Sequence, residues 1–199
     1  GDGVLCGIGW AVKHIYRKPV VITMHGLDVS YPNPLYRLYL RLFFRPSVAV
    51  CVSSYTSSLV KKFHPDVRTE VIPNGISSED QKQYSAEELN AYKQKIKGAS
   101  SISFEGVFIV STVGRLVARK GVAWFIAHVM PKLPAQVVYL VAGRGKEKQQ
   151  IEQAIRAHHL EKRVVTIGQI SAHELALLFG ISHLFVMPNQ PVAHDAEGF

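Results

Sequence analysis

One run of the sequence joins a strand pattern to a cationic loop and then to a helix pattern. Val110-Ser111-Thr112-Val113-Gly114-Arg115-Leu116-Val117-Ala118-Arg119-Lys120-Gly121 begins apolar, turns at Gly114, and delivers Arg115 and Lys120 just before a helix expected from Gly121. A helix N-terminus offers unpaired N–H groups and positive potential. A guanidinium forks two phosphate oxygens, and an ammonium adds a point charge. The chemistry this suits is binding of a diphosphate. Two cations there can take the place of a divalent metal in stabilising a departing nucleoside diphosphate. The plain alternative is a solvated loop with ordinary surface charges.

Three other places draw attention. His25 stands at the end of an apolar run, followed by Gly26 and Asp28. The carboxyl end of a strand is where an open α/β sheet places ligand groups; the alternative is a histidine that only caps the strand end. Gly143-Arg144-Gly145 forms a tight turn after another apolar run, where backbone can approach a ligand, although neither a P-loop nor a complete G-x-G-x-x-G is present. The last residues, Asp195-Ala196-Glu197-Gly198-Phe199, place a carboxylate in a polar loop suited to sugar hydroxyls. No H-E-x-x-H spacing occurs among the nine histidines, and Cys6 and Cys51 are far apart, so no metal site is expected. His128, His173 and His183 read as structural, and His158 and His159 as solvent-facing.

The elements that must position these groups follow from apolar periodicity. Runs at 20–24, 48–52, 70–72, 107–110, 137–141, 164–167 and 184–187 read as strands. Runs apolar at every position suit strands buried on both faces of a parallel sheet. Helix patterns lie between them, at 33–45, 54–63, 86–97, 121–130, 146–159 and 171–180. Ser85-x-x-Glu88 and Ser171-x-x-Glu174 are capping boxes that open two of these helices. The alternation predicts a doubly wound α/β fold. Residues 77–105 are the most polar stretch and separate two αβ-rich blocks. The expected division is therefore 1–78, a polar linker with a short helix at 79–104, and 105–199.

Composition bounds the function classes. The chain has 199 residues, 47% hydrophobic and 19% charged, as a globular protein does. The two cysteines cannot form a disulfide framework and read as buried thiols in a reducing compartment. The net charge of +8 is spread along the chain without a block of like charges, so nucleic acid is not an expected partner. A diffuse positive field still favours phosphates, nucleotides and acidic lipid. No stretch is apolar enough to span a bilayer. On a helix over residues 33–45, Arg37, Arg41 and Arg45 form one stripe about 80° wide, with leucines and aromatics around the remainder. That segment reads as a sheet-packed helix with a wet basic edge or, more sharply, as a surface helix on anionic membrane through residues 35–45.

Taken together these residues resemble the retaining GT-B glycosyltransferases of glycosyltransferase family 4. His25-Gly26-Leu27-Asp28 is similar to the family's H-G-x-D segment, and Val71-Ile72-Pro73-Asn74-Gly75-Ile76 to its V-I-P-N-G-V. Gly114-Arg115-Leu116 through Lys120-Gly121 resembles its G-R-L…K-G, and Asp195–Phe199 the opening of its E-x7-E motif. Ser77 departs from the Asp usual after N-G-V, and the second Glu of E-x7-E would lie beyond Phe199.

The resemblance implies two Rossmann-like domains, both incomplete here, the second binding a nucleoside-diphosphate-sugar donor. Arg115 and Lys120 would hold the β-phosphate, with Gly114 and Gly143 in the surrounding turns. Gly168, Gln169 and Ile170 would lie near the base. Glu197, with the backbone of Gly198 and Phe199, would hold the donor sugar, and His25 would stand near the transferred group. The implied reaction moves a sugar to an acceptor hydroxyl with retention, without a metal or other cofactor. The acceptor, a glycan, lipid or small molecule, is not specified. The expected location, from the cysteines, is cytoplasmic, with peripheral attachment to the inner face of the cytoplasmic membrane if residues 35–45 form the surface helix. A GT-B nucleotide-sugar epimerase and a non-catalytic nucleotide-sugar-binding subunit are the rival readings. Members of the family are longer, so the expectation is an internal fragment, inactive by itself and marginally stable.

Overall fold

Parallel strands need crossover connections, usually helices, and both sheets of this protein are parallel. The computed structural model describes residues 3–31, 33–75, 84–100 and 102–192. They form two compact units, one built before residue 76 and one within residues 77–190.

The first unit contains α1 (Cys6–His14), β1 (Val21–Met24), α2 (Leu27–Ser30), α3 (Pro34–Phe43), β2 (Val48–Cys51), α4 (Ser54–Phe63) and β3 (Thr69–Val71). Its sheet has the order β1-β2-β3, with Met24 beside Cys51 and Cys51 beside Val71. Asn33 caps α3, its side chain accepting from the Leu35 and Tyr36 N–H groups, and Pro34 follows at the first helical position. Ser53 caps α4 through the Thr56 N–H.

Here one expectation is corrected. β1 and β2 read as strands buried on both faces, but only alternate residues are buried. Ile22, Met24, Ala49 and Cys51 lie in the core with Leu40, Phe44 and Val60, whereas Val21 is exposed and Thr23, Val48 and Val50 are half-buried. Successive side chains of a strand point to opposite faces, and among the described residues one face of this sheet carries the core. Helix α1 has no counterpart among the expected elements. Its Gly7 and Gly9 weaken the helical pattern, and Leu5 at its N-cap makes no side-chain cap.

The second unit contains α5 (Ala86–Ala99), β4 (Phe108–Val113), α6 (Val122–His128), β5 (Val137–Ala142), α7 (Lys148–Ala157), β6 (Val164–Gly168), α8 (Ala172–Ile181) and β7 (Leu184–Phe185). Its strand order is β6-β5-β4-β7, all parallel. Every residue of β5 is buried. Val137, Tyr139 and Val141 join one apolar cluster with Ile126, Met130 and Ile151. Val138, Leu140 and Ala142 join another with Tyr92, Ile109 and Leu178. Both faces of the sheet are covered at β5, so a period-2 element is apolar at every position; the edge strands β7 and β3 depart from the expected burial, with Leu184, Phe185, Glu70 and Val71 exposed.

Both capping boxes form as expected, at Ser85/Glu88 and Ser171/Glu174. Helix α5 lies in the stretch read as a linker, yet it buries Tyr92 and Ile96 in the second unit's core. Their i, i+4 spacing puts two apolar residues on one face of an otherwise polar helix. Lys95 of α5 also meets Glu174 of α8 at 2.6 Å. Cys6 and Cys51 are buried, and neither forms a disulfide. His158 and His159 are exposed, and His183 Nδ1 accepts from the Ile109 N–H at 2.9 Å, a structural role.

Candidate functional site

Because the four strands of the second sheet are parallel, their following loops share one edge. Hydrogen bonds lace these loops together. The Gly114 N–H donates to the Ala142 carbonyl (3.0 Å), Leu116 to Arg144 (2.9 Å), Gly143 to Gly168 (2.7 Å), Glu147 to Leu116 (3.0 Å) and Gln190 to Arg119 (2.8 Å). The edge is therefore a backbone mesh from β6 across to β7.

Two glycines make the mesh possible. A Cβ on Gly143, whose φ is +141°, would overlap the Gly114 carbonyl oxygen. A Cβ on Gly121, at φ +64°, would overlap the Pro188 carbonyl oxygen. No L side chain fits either place without moving a loop. Beneath the mesh, the Tyr139 hydroxyl donates to Thr112 Oγ1 and Thr112 Oγ1 to the Val186 carbonyl, each at 2.6 Å. Burial pushes the Tyr139 phenol well above its ordinary range, so it stays a neutral donor.

Three cations rise from this mesh. Arg115 is exposed, Lys120 is half-buried, and Arg119 is 6% exposed. The turn Ala118–Lys120 is a single 3-10 turn ending at left-handed Gly121, and α6 follows over Val122–His128. Lys120 runs back beside Gly114, its Cε 3.9 Å from the position a Gly114 Cβ would take. Burial, then Arg119, then Arg115 pull the Lys120 amine below its ordinary range. Like charges held together in a partly desolvated loop raise one another's energy, and an anion between them relieves it. The chemical capacity of this edge is to hold a compact polyanion.

The remaining predicted residues are placed as follows. The second unit brings Gly114, Arg115, Lys120, Gly143 and Gly168 to one edge. Gly168, at φ +80°, accepts the Gly143 N–H, Gln169 is exposed, and Ile170 packs partly into the core below. His25 belongs to the first unit and is exposed at the end of β1. Its N–H donates to Asp28 Oδ2 at 2.8 Å, and the Asp28 N–H returns to the His25 carbonyl at 2.9 Å. The Asp of the H-G-x-D segment thus ties its backbone turn. Glu197, Gly198 and Phe199 lie outside the described residues, as do Ile76 and Ser77. No group of three or more metal-ligating side chains gathers among the described residues.

Sequence reasoning missed the buried state of Arg119 and the Gly121–Pro188 approach. The signal for the first was weak, since Arg119 sits in a run of charged and small residues. The second joins positions far apart in the chain.

Comparison with known families settles the kinship. Residues 93–199 match the model of the glycosyl transferases group 1, and residues 3–80 that of glycosyltransferase family 4. The chain belongs to the glycosyl transferases of group 1. Its parallel α/β units carry the GT-B fold. The GPI3 subunit of phosphatidylinositol N-acetylglucosaminyltransferase from Saccharomyces cerevisiae is 28% identical over 175 residues, covering 85% of this chain and 36% of that one. An uncharacterized glycosyltransferase of Methanocaldococcus jannaschii is 24% identical over 196 residues, covering 92% and 48%. The chain thus spans about half or less of these relatives. Among solved structures, HepE of Anabaena in complex with UDP superposes with a TM-score of 0.74 at 20% identity, over 94% of this chain and 51% of that one. HepE is also known in complex with UDP-glucose, where the TM-score is 0.72.

Proposed function

We propose that this group 1 chain forms part of an enzyme that moves a sugar from a nucleoside diphosphate to an acceptor hydroxyl, with retention and without a metal. One observation carries the reading: Arg115, Arg119 and Lys120 stand together on a glycine-tight edge at the carboxyl ends of the second sheet's strands. A departing diphosphate develops negative charge there, and preorganised cations stabilise it without reorganising. HepE, which shares the fold, is a protein solved with UDP and UDP-glucose.

In the proposed reaction the bond from the anomeric carbon to the β-phosphate oxygen breaks, and its electron pair stays on the diphosphate. The acceptor oxygen bonds to the same face of that carbon, and its proton passes to a donor phosphate oxygen. Arg115 and Lys120 bind the β-phosphate. Glu197 orients the sugar with the Gly198 and Phe199 backbone, and Gly168 to Ile170 flank the base. No protein nucleophile is needed. The yeast relative is named for phosphatidylinositol and N-acetylglucosamine, which puts a lipid hydroxyl among the acceptors to try.

The test is turnover of nucleoside-diphosphate sugars by the whole protein, with and without EDTA, and with Arg115→Ala or Lys120→Ala. Each variant is expected to lose about 10²–10³ in rate, or about 2–4 kcal/mol of transition-state stabilisation. Loss of wild-type turnover in EDTA would overturn metal independence. An inverted anomer in the product would overturn retention. Near-normal turnover in both variants would overturn the phosphate roles. UDP binding without any cleavage of a donor would favour a binding subunit.

A further inference from the structure

The solvent face of α3 is built from only two residue types beyond its first turn. Leu35, Leu38 and Leu42 are 75%, 53% and 54% exposed. On a helix they span about 60°, and Arg37 and Arg41 stand beside them on the same outer side; α3 ends at Phe43, short of the expected 45, so Arg45 follows just past the helix end. The opposite face is fully used, with Leu40 and Phe44 in the core and Tyr36, Tyr39 and Phe43 packed against it. Leu35, Leu38 and Leu42 are not among the residues of that core.

The surroundings repeat this pairing of apolar and cationic groups. A groove of about 450 Å³ between α3 and α4 has Met24, Val60 and Phe63 in its walls and Arg37, Arg41 and Lys62 among its lining. The Arg37 guanidinium lies 5.8 Å from the centre of the Phe63 ring. A neighbouring depression of about 570 Å³ gathers Lys13, Arg41, Arg45, Arg68 and His64, with Asp66 as its carboxylate. Burial, with Arg45 and Arg41 nearby, keeps the His64 ring below its ordinary range, as a strongly positive surface would. Neither α3 nor α4 contains an acidic residue. No helix among the described residues is long and apolar enough to cross a membrane.

We propose that the outer face of α3 docks the protein on the surface of an anionic bilayer. Leu35, Leu38 and Leu42 enter the boundary between headgroups and acyl chains, and Arg37, Arg41 and Arg45 take lipid phosphates. Charge complementarity selects this occupant. The cationic side chains extend beyond the helix, to Lys13, Lys62 and Arg68, as a broad layer of phosphates requires. A bilayer surface presents both layers at the depth that a helix lying in its plane requires. The inference does not depend on the donor site, and either can fail alone.

The experiment is cosedimentation of the protein with phosphatidylcholine vesicles, with and without phosphatidylglycerol. Each arginine near an anionic surface contributes about fivefold to partitioning, so Arg37→Gln/Arg41→Gln/Arg45→Gln should bind phosphatidylglycerol vesicles about a hundredfold more weakly. Leu35→Gln/Leu38→Gln/Leu42→Gln should also lose binding while keeping a cooperative melt, since glutamine preserves helix propensity and none of the three leucines belongs to the core. Equal partitioning to both vesicle types would overturn the proposal. So would wild-type binding by either variant. Full competition by a soluble inositol phosphate, with the leucine variant unaffected, would show a soluble-anion site and overturn it too.

Discussion

The two sheets of this protein are made by the same chain logic and end in different states. In the second, β5 sends alternate residues into two cores and no position of the strand sees water. In the first, β1 and β2 send alternate residues into one core and leave Val21 exposed. The loops differ accordingly. The edge of the second sheet is cross-bonded from β6 to β7 and leaves no room for a Cβ at Gly143 or Gly121. The turn after β1 is closed locally, by Asp28 on the His25 backbone. A sheet covered on both faces gives its loops a rigid base, and a rigid base can hold like charges together. The first sheet has one described core, and α3 packs on it with leucines and arginines on its outer side.

The comparison breaks most visibly in the cores. Leu140→Ala should destabilise the second unit by about 2–5 kcal/mol, because the side chain is fully buried between packed neighbours. Val21→Ala should change stability by less than about 0.5 kcal/mol, as its side chain is already wet. Urea melts of the two variants make the contrast. Similar midpoints would mean that the sheets are not differently covered.

The loop mesh is the next place to press. Gly143→Ala forces a Cβ onto the Gly114 carbonyl in a backbone conformation that alanine disfavours, and should cost about 3 kcal/mol. It should also weaken UDP binding, since the same loop edge holds Arg115 and Lys120. A Gly143→Ala variant with the parent's melt and UDP affinity would show that the two turns are free to separate.

The smallest expected effect is in acid. Glu174 is held near a pKa of about 2, below its ordinary 4.5, by the hydrogen bond from Lys95 first and those from the Ser171 backbone and hydroxyl next. The folded state therefore binds fewer protons than the unfolded one between those values, and stability falls as pH drops from 4.5 toward 2. The site is near the surface, so the effect is screened and modest. Protection of the amides at the start of α8, taken relative to the intrinsic exchange rate at each pH, should fall in this window, and Glu174→Gln should remove most of the pH dependence. An unchanged profile in Glu174→Gln would show that the capping box is not the group titrating.

Much of this protein was legible in its residues. The strand and helix runs, both capping boxes and the cationic loop after Gly114 all depend on neighbours within a few positions, where periodicity and side-chain reach decide the outcome. The motif order that resembles glycosyltransferase family 4 was legible too, each motif locally and their order along the whole chain. Helix α1 was not legible, because two glycines and an uncapped start leave no local signal. Three decisions belong to tertiary structure alone. Whether β1 is covered on one face or two depends on helices elsewhere in the chain. Helix α5 joins a core because Tyr92 and Ile96 find β4, β5 and α8, not because its own polar sequence asks for burial. Arg119 becomes a buried member of a cation cluster because its carbonyl accepts from Gln190 and Gly121 backs onto Pro188, both far along the chain. Local sequence sets which backbone shape each segment prefers. Which surfaces meet is a property of the whole chain, and it is the meeting of surfaces that gathers these cations on one edge.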